Sequence, residues 1–242
     1  MDVALKAYNK RSDFSYASGV FATLELLRYR PNEVLRIFIS SKGSENKGLE
    51  EIIRISENRN IKVETADNLV IKLSGSENCY AVGVFKKYDN PINMNNNHVV
   101  LLNPSDMGNV GTIIRTMAGF GYKDLVLIKP CTDIFDPKVI RSSTGAFFQT
   151  RFSYYSSFGE YFNQTGNNLY AFVLDKEAIK LSETEFKKPF SLIFGNEGTG
   201  IDEHILRSRG LDKIMIPHSK TIDSLNLSVA AGIALFGASD YL

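Results

Sequence analysis

Residues 191–242 read SLIFGNEGTGIDEHILRSRGLDKIMIPHSKTIDSLNLSVAAGIALFGASDYL, and the rest of the chain is best read outward from them. An apolar strand (191–194) breaks into the glycine-rich run Gly195-Asn196-Glu197-Gly198-Thr199-Gly200. A second strand (213–216) breaks into Pro217-His218, and after a polar loop Ser224-Leu225-Asn226 opens a helix that is apolar almost all round. Two strands thus deliver two backbone-rich loops to one place, the kind of setting in which a small molecule is cradled. Glycines at such a turn let a ligand approach backbone amides closely. The run is not the dinucleotide GxGxxG pattern, which should close the first strand with an acidic residue about 20 positions on, nor is it a P-loop, since no GK[ST] follows.

The strands upstream have the same character. VVLLN (99–103), LVLIK (125–129), SLIF (191–194) and KIMI (213–216) are continuous apolar runs, the signature of a parallel sheet covered on both faces. Strands are expected at 98–103, 124–129, 150–154, 169–174, 191–194 and 213–216. Helices are expected between them at 110–118, 137–143, 158–164, 202–207 and 225–238. Before these lies an asparagine-rich segment without periodicity, which predicts a linker over residues 89–97. Residues 1–88 alternate shorter elements: a helix over 14–29, strands at 34–39, 61–64 and 80–85, and helices at 49–57 and 68–73. That alternation predicts a small three-layer α/β unit. The expected organisation is therefore 1–88, a linker at 89–97, and a larger α/β domain over 98–242.

Composition narrows the function classes. The chain has 242 residues, 43% of them apolar, enough for a real core. Its 28 basic and 27 acidic residues leave a net charge of +1, so any polyanion must be met by local clusters such as Arg28/Arg30/Arg36 or Lys138/Arg141/Arg151. Cys79 and Cys131 lack CxxC spacing and the three histidines lack zinc-ligand spacing, which points to a reduced, cytoplasmic protein without a structural metal. No apolar run is long enough to span a bilayer, so no membrane segment is expected.

Three stretches carry candidate chemistry. The first, NPSDMGNVGTIIRT (103–116), follows a strand; Asn109 is a suitable N-cap, and Arg115, about 9 Å further along the axis, can lean back toward the loop. An asparagine cap and a solvated arginine would produce the same pattern. In the second, Glu197 is either an orienting carboxylate or a solvated loop residue. In the third, Ser224 as N-cap and Asn226 in the first turn put a hydroxyl and an amide at a positive helix end, which a merely structural capped helix would also do. His218 invites a general-base role, although a loop histidine is more often structural.

Together and in this order, NPSDMGNVGTIIRT, LIFGNEGTGI and IPHSKTIDSLNLSVA resemble the three signatures of the SpoU (TrmH) branch of SPOUT RNA methyltransferases, and RSSTGAFF (141–148) resembles a family segment between the first two. The resemblance implies a C-terminal SPOUT domain with a mainly parallel sheet and a deep trefoil knot. It also implies, more loosely, a ribosomal-protein-like substrate-binding domain at the N-terminus. The expected activity is S-adenosylmethionine-dependent methylation of a ribose 2′-hydroxyl in rRNA or tRNA by a homodimer, with no DNA partner. By resemblance, Arg115, Asn109, Glu197, Ser224 and Asn226 are the catalytic set, and Leu174, Gly195, Ile216 and Leu225 bind the cofactor. His218 and Lys220 stand where the family commonly has Met and Gly, so an altered loop is expected there, with Lys220 a candidate phosphate contact. Those departures motivate the alternative of a catalytically idle RNA- or ribosome-binding protein with the same fold. A nucleotide-cofactor oxidoreductase fits poorly, because its glycine fingerprint is absent.

Overall fold

A computed structural model describes residues 7–219 and 221–241. The chain forms two compact units, one of residues 1–88 with Asp133–Gln149, the other of Asp89–Thr132 with Thr150–Leu242.

The first unit contains β1 (Phe14–Ser18), α1 (Val20–Tyr29), β2 (Val34–Ile39), α2 (Lys47–Asn58), β3 (Val63–Thr65), α3 (Asp67–Ser74) and β4 (Ala81–Lys86). Its sheet runs in the order β1-β4-β2-β3; β4 is antiparallel to both of its neighbours, and β2 and β3 are parallel. Leu24, Leu27, Leu49 and Ile52 of α1 and α2 bury with Ile37 and Ala81, while Val70 and Leu73 of α3 bury with Tyr16, Phe38, Val82 and Val84. Alternate residues of β2 and β4 therefore feed two cores, and the unit has the three layers expected.

Two expectations fail here. Residues 14–18 form a strand, not the start of a helix: Phe14, Ala17 and Phe21 happen to fall at helical steps, but Gly19 at φ 104° breaks the chain and α1 begins only at Val20. Residues 133–149, expected within the larger domain, pack with the first unit. The reason is aromatic: Phe147 and Phe148 lie 5.2 Å apart, Phe148 meets Phe85 edge-on at 5.2 Å, and Phe135 meets Phe147 at 5.3 Å. The Ser15 hydroxyl adds a bond to the Phe135 carbonyl at 2.5 Å. This stretch includes the helix α5 (Pro137–Ser142).

The second unit holds β5 (His98–Leu102), α4 (Met107–Gly119), β6 (Asp124–Ile128), β7 (Arg151–Tyr155), α6 (Phe158–Phe162), β8 (Asn168–Phe172), β9 (Ile179–Lys180), β10 (Phe190–Phe194), α7 (Glu203–Leu206), β11 (Leu211–Met215) and α8 (Leu227–Gly237). The seven strands are all parallel, in the order β7-β6-β5-β10-β8-β11-β9. Only the two-residue β9 was absent from the sequence reading. Val100, Leu102, Val126, Ile128, Ala171 and Ile193 share one core; the alternate residues Val99, Leu101, Leu125, Leu127 and Leu192 are buried too. Burial of both sets explains why these strands read as unbroken apolar runs.

Residues 89–97, expected as a linker, are tied through Asn93 and Asn96 to the amino ends of these strands. Asp124, 1% exposed, accepts from Asn93 N at 2.8 Å, from Asn96 Nδ2 at 2.9 Å, and from the Arg151 guanidinium through two bonds of 2.6 Å. Burial alone would raise its pKa; these bonds outweigh it and hold it below the usual carboxylate value. Buried His98 sits alongside, its Nε2 2.9 Å from the Asn93 carbonyl and its Nδ1 2.8 Å from the Tyr161 hydroxyl. A carbonyl can only accept, so Nε2 carries a proton, and burial pushes the pKa of the ring down.

Candidate active site

Loops following β5, β10, β8 and β11 all leave the carboxyl ends of their strands. The strand order turns there: β5, β6 and β7 run to one side while β8 lies beyond β10 on the other. Parallel sheets bind ligands at such a switch point. A cavity of about 820 Å³ opens at this edge, lined by parts of the loops after β10, β8 and β11, by Asn109 of α4, by α7 and by the start of α8.

Gly195 closes the strand end. A Cβ on it would lie 2.4 Å from the Gly200 carbonyl carbon and 2.7 Å from Ile201 N, so only glycine fits while the loop is closed. Closure comes from paired bonds between Asn196 and Gly200, at 3.0 and 2.9 Å. Asn196 also fixes the loop internally: its Oδ1 accepts from Gly198 N (2.9 Å) and Thr199 N (3.1 Å), and its Nδ2 donates to the Asn103 carbonyl (2.8 Å). The sequence reading passed over Asn196, although an asparagine directly before a glycine-rich turn is a signal for an Asx turn.

Glu197 joins two motifs. Its Oε2 accepts from Ser105 N (3.1 Å) and Ser105 Oγ (2.9 Å), and its Oε1 accepts from Asp106 N (3.1 Å) and Asn109 Nδ2 (3.3 Å). Partial burial opposes its charge, but backbone amides, including its own and those of Asp106 and Ser105, prevail and lower its pKa. Such a carboxylate is a clamp for loops and a poor proton acceptor. Asn109 Oδ1 in turn accepts from Asn226 Nδ2 at 3.1 Å, so Glu197, Asn109 and Asn226 form one chain through all three motifs.

The caps differ from expectation. Asp106, not Asn109, caps α4, accepting from Asn109 N at 2.7 Å. Asn226, not Ser224, caps α8, accepting from Ser228 N at 2.9 Å and Val229 N at 3.4 Å. In each case the carboxylate or amide nearest the first free amides takes the role, which leaves the Asn109 side chain for the site. Ser224 is exposed and lines the cavity, as do Leu174, Gly195, Ile216 and Leu225. His218 lines it as well, with Nδ1 3.0 Å from the Ile216 carbonyl. Arg115 is exposed on α4 and is not among the cavity-lining residues. Lys220 lies outside the described residues. Sequence reasoning also missed Phe172 and Phe194, stacked at 4.8 Å and 10° on the cavity floor, and the charged residues Asp175, Glu203 and Lys213 in its walls. Among the described residues no group of three or more His, Cys, Asp or Glu could hold a metal ion, and no helix is long and apolar enough to cross a membrane.

Fold and site define a parallel-sheet α/β protein with a nucleotide-sized crevice at its switch point. The profile of the SpoU rRNA Methylase family matches residues 96–236, and the chain belongs to that family. It is similar to a 23S rRNA (guanosine-2′-O-)-methyltransferase of Acinetobacter baylyi, 26% identical over 92% of this chain and 96% of the relative. An uncharacterized tRNA/rRNA methyltransferase of Synechocystis is 34% identical over 58% of this chain, a stretch that spans about half (52%) of that relative's length. Among solved structures, an AdoMet-bound rRNA methyltransferase from Sinorhizobium meliloti superimposes with a TM-score of 0.80, covering 95% of this chain and 88% of the other at 24% identity; at that identity the likeness concerns the fold.

Proposed function

We propose that the chain is an S-adenosylmethionine-dependent methyltransferase acting on a ribose 2′-hydroxyl of ribosomal or transfer RNA, and that it works as a homodimer. The observation that carries this reading is the Glu197–Asn109–Asn226 chain, which binds the three motif loops into one wall of the cavity.

The cavity suits a cationic nucleoside. Its floor offers the Phe172/Phe194 pair, its walls carry the carboxylates of Glu197 and Glu203, and the loops around Gly195, Ile216 and Leu225 present backbone, with Leu174 at the rim. The last part of the chain, in this reading, threads through a loop as a trefoil knot. The cofactor supplies an electrophilic methyl on its sulfonium. A ribose hydroxyl is a weak nucleophile and must be positioned and polarised. Arg115 fits that task as a cation: a guanidinium keeps its proton, so it orients the target phosphate and favours charge developing on the hydroxyl. Glu197 and Asn226 hold the loops, and Asn109 connects them; Ser224 is left to contact RNA or cofactor.

Arg115 does not line the cavity of its own chain, which supports a site completed across a dimer. A surface for such pairing exists on α8. Val229, Ile233 and Phe236 are 51%, 37% and 67% exposed, recur at helical spacing on one face, and continue to Phe120, whose ring lies 6.0 Å from that of Phe236. Residues 1–88 are assigned to RNA selection. Mapping 2′-O-methylated riboses in cellular RNA with and without this protein tests the reading; a site that disappears with the protein is expected, and an unchanged map would leave the idle RNA-binding alternative.

A further inference from the structure

Away from the three motifs, the cavity has a second polar corner. Asp175 follows β8 by three residues and Lys213 lies on the adjacent strand β11. Lys213 Nζ donates to Asp175 Oδ2 at 3.3 Å, and the Glu177 amide donates to Oδ1 at 3.0 Å. Both side chains line the cavity and remain accessible, at 38% and 35%. The strand order β5-β10-β8-β11 sets Asn109 and Glu197, which follow β5 and β10, toward one side of the crevice and this ion pair, after β8 and on β11, toward the other.

An unanswered carboxylate would call for a cation. Here Lys213 answers the charge, and what the pair still offers is acceptor capacity. Each carboxylate oxygen has two lone-pair sites; Lys213 takes one on Oδ2 and the Glu177 amide one on Oδ1, leaving one on each oxygen. Two neighbouring acceptors on a rigidly held planar group match the two neighbouring donors of a vicinal diol. A carboxylate near the carboxyl end of a strand holds adenosine ribose in the same way in doubly wound folds. We propose that Asp175, held by Lys213 and the Glu177 amide, accepts hydrogen bonds from both ribose hydroxyls of the cofactor's adenosine and so fixes which way the cofactor lies in the crevice. The inference rests on the S-adenosylmethionine reading of the cavity and makes Asp175 a cofactor-positioning residue outside the motifs.

The test is calorimetry on the full chain with two ligands, S-adenosylhomocysteine and 5′-methylthioadenosine, the second lacking the amino-acid end. Asp175→Ala should weaken both by a similar factor, about tenfold to a hundredfold for lost hydrogen bonds to a charged acceptor. The unmodified protein should bind 2′-deoxy and 3′-deoxy forms of 5′-methylthioadenosine about tenfold less tightly than the parent, a measurement that needs no variant to fold. Weakening confined to S-adenosylhomocysteine would assign the pair to the amino-acid end and overturn the proposal, as would equal affinity for diol and deoxy ligands. If the unmodified protein binds neither parent ligand at millimolar concentration, the cofactor reading itself fails and this inference falls with it.

Discussion

Replacing Gly195 with alanine tests whether the loop after β10 is a cofactor wall. The added Cβ would sit 2.4 and 2.5 Å from the Gly200 carbonyl carbon and oxygen, and 2.7 Å from Ile201 N. All three atoms are backbone, so no side chain can swing aside, and the 196–200 loop must retreat by about 1 Å to restore ordinary contact distances. That retreat would break the paired Asn196–Gly200 bonds of 3.0 and 2.9 Å. At about 1 kcal/mol net for each bond, the closed loop loses about 2 kcal/mol, which corresponds to roughly thirtyfold in affinity for a ligand that needs it closed. Calorimetric titration with S-adenosylhomocysteine reads this directly. Gly198→Ala is the control: its Cβ would meet only Asn196 Oδ1, at 3.5 Å, an ordinary contact, and affinity should stay within about twofold. Wild-type affinity in Gly195→Ala would mean that the cofactor does not need this loop closed.

Further outcomes are expected elsewhere in the chain. Arg115→Ala should reduce methyl transfer by at least about a hundredfold while leaving S-adenosylhomocysteine affinity unchanged, separating it from the cavity residues. Ile233→Asp with Phe236→Glu should convert a dimer to a monomer in sedimentation, at unchanged secondary structure by circular dichroism. Arg151→Met strands the buried Asp124 carboxylate and should cost about 3 kcal/mol in denaturant unfolding, the low end for a broken buried pair because Arg151 is 30% exposed. For His98, the folded pKa lies below the unfolded value of about 6.5, so the unfolded state takes up the extra proton. Its contribution is complete above about pH 6.5 and declines as pH falls toward the lowered folded value; the melting temperature should drop over that range, and less so in His98→Gln.

How far the sequence could be read depended on whether the signal was local. The parallel sheet was legible because strands buried on both faces, such as VVLLN and LVLIK, must be apolar at every position. The cavity was legible because glycines and polar residues directly follow two of those strands. Caps were harder: Ser105, Asp106 and Asn109 compete within five residues, and which oxygen reaches the first free amides is a matter of geometry that the residue types leave open. Strand β1 was misread because three apolar residues fell at helical steps, while the decisive feature was the positive φ of Gly19. Assignment of 133–149 to the first unit depends on Phe135, Phe147 and Phe148 meeting Phe85, more than 45 positions earlier, and no periodicity encodes that. The Glu197–Asn109–Asn226 chain joins residues 88 and 117 positions apart; the motifs named its members without their connections.

A crevice that presents a methyl group to a ribose hydroxyl should transfer that methyl in a purified system. The most direct measurement is to incubate the purified protein with methyl-labelled S-adenosylmethionine and ribosomal and transfer RNA isolated from cells lacking the protein, digest to nucleosides, and identify the labelled product by mass spectrometry. Label should appear in a 2′-O-methylnucleoside and be abolished by Arg115→Ala. Label on a base, or 2′-O-methylation undiminished in Arg115→Ala, would contradict this chemistry.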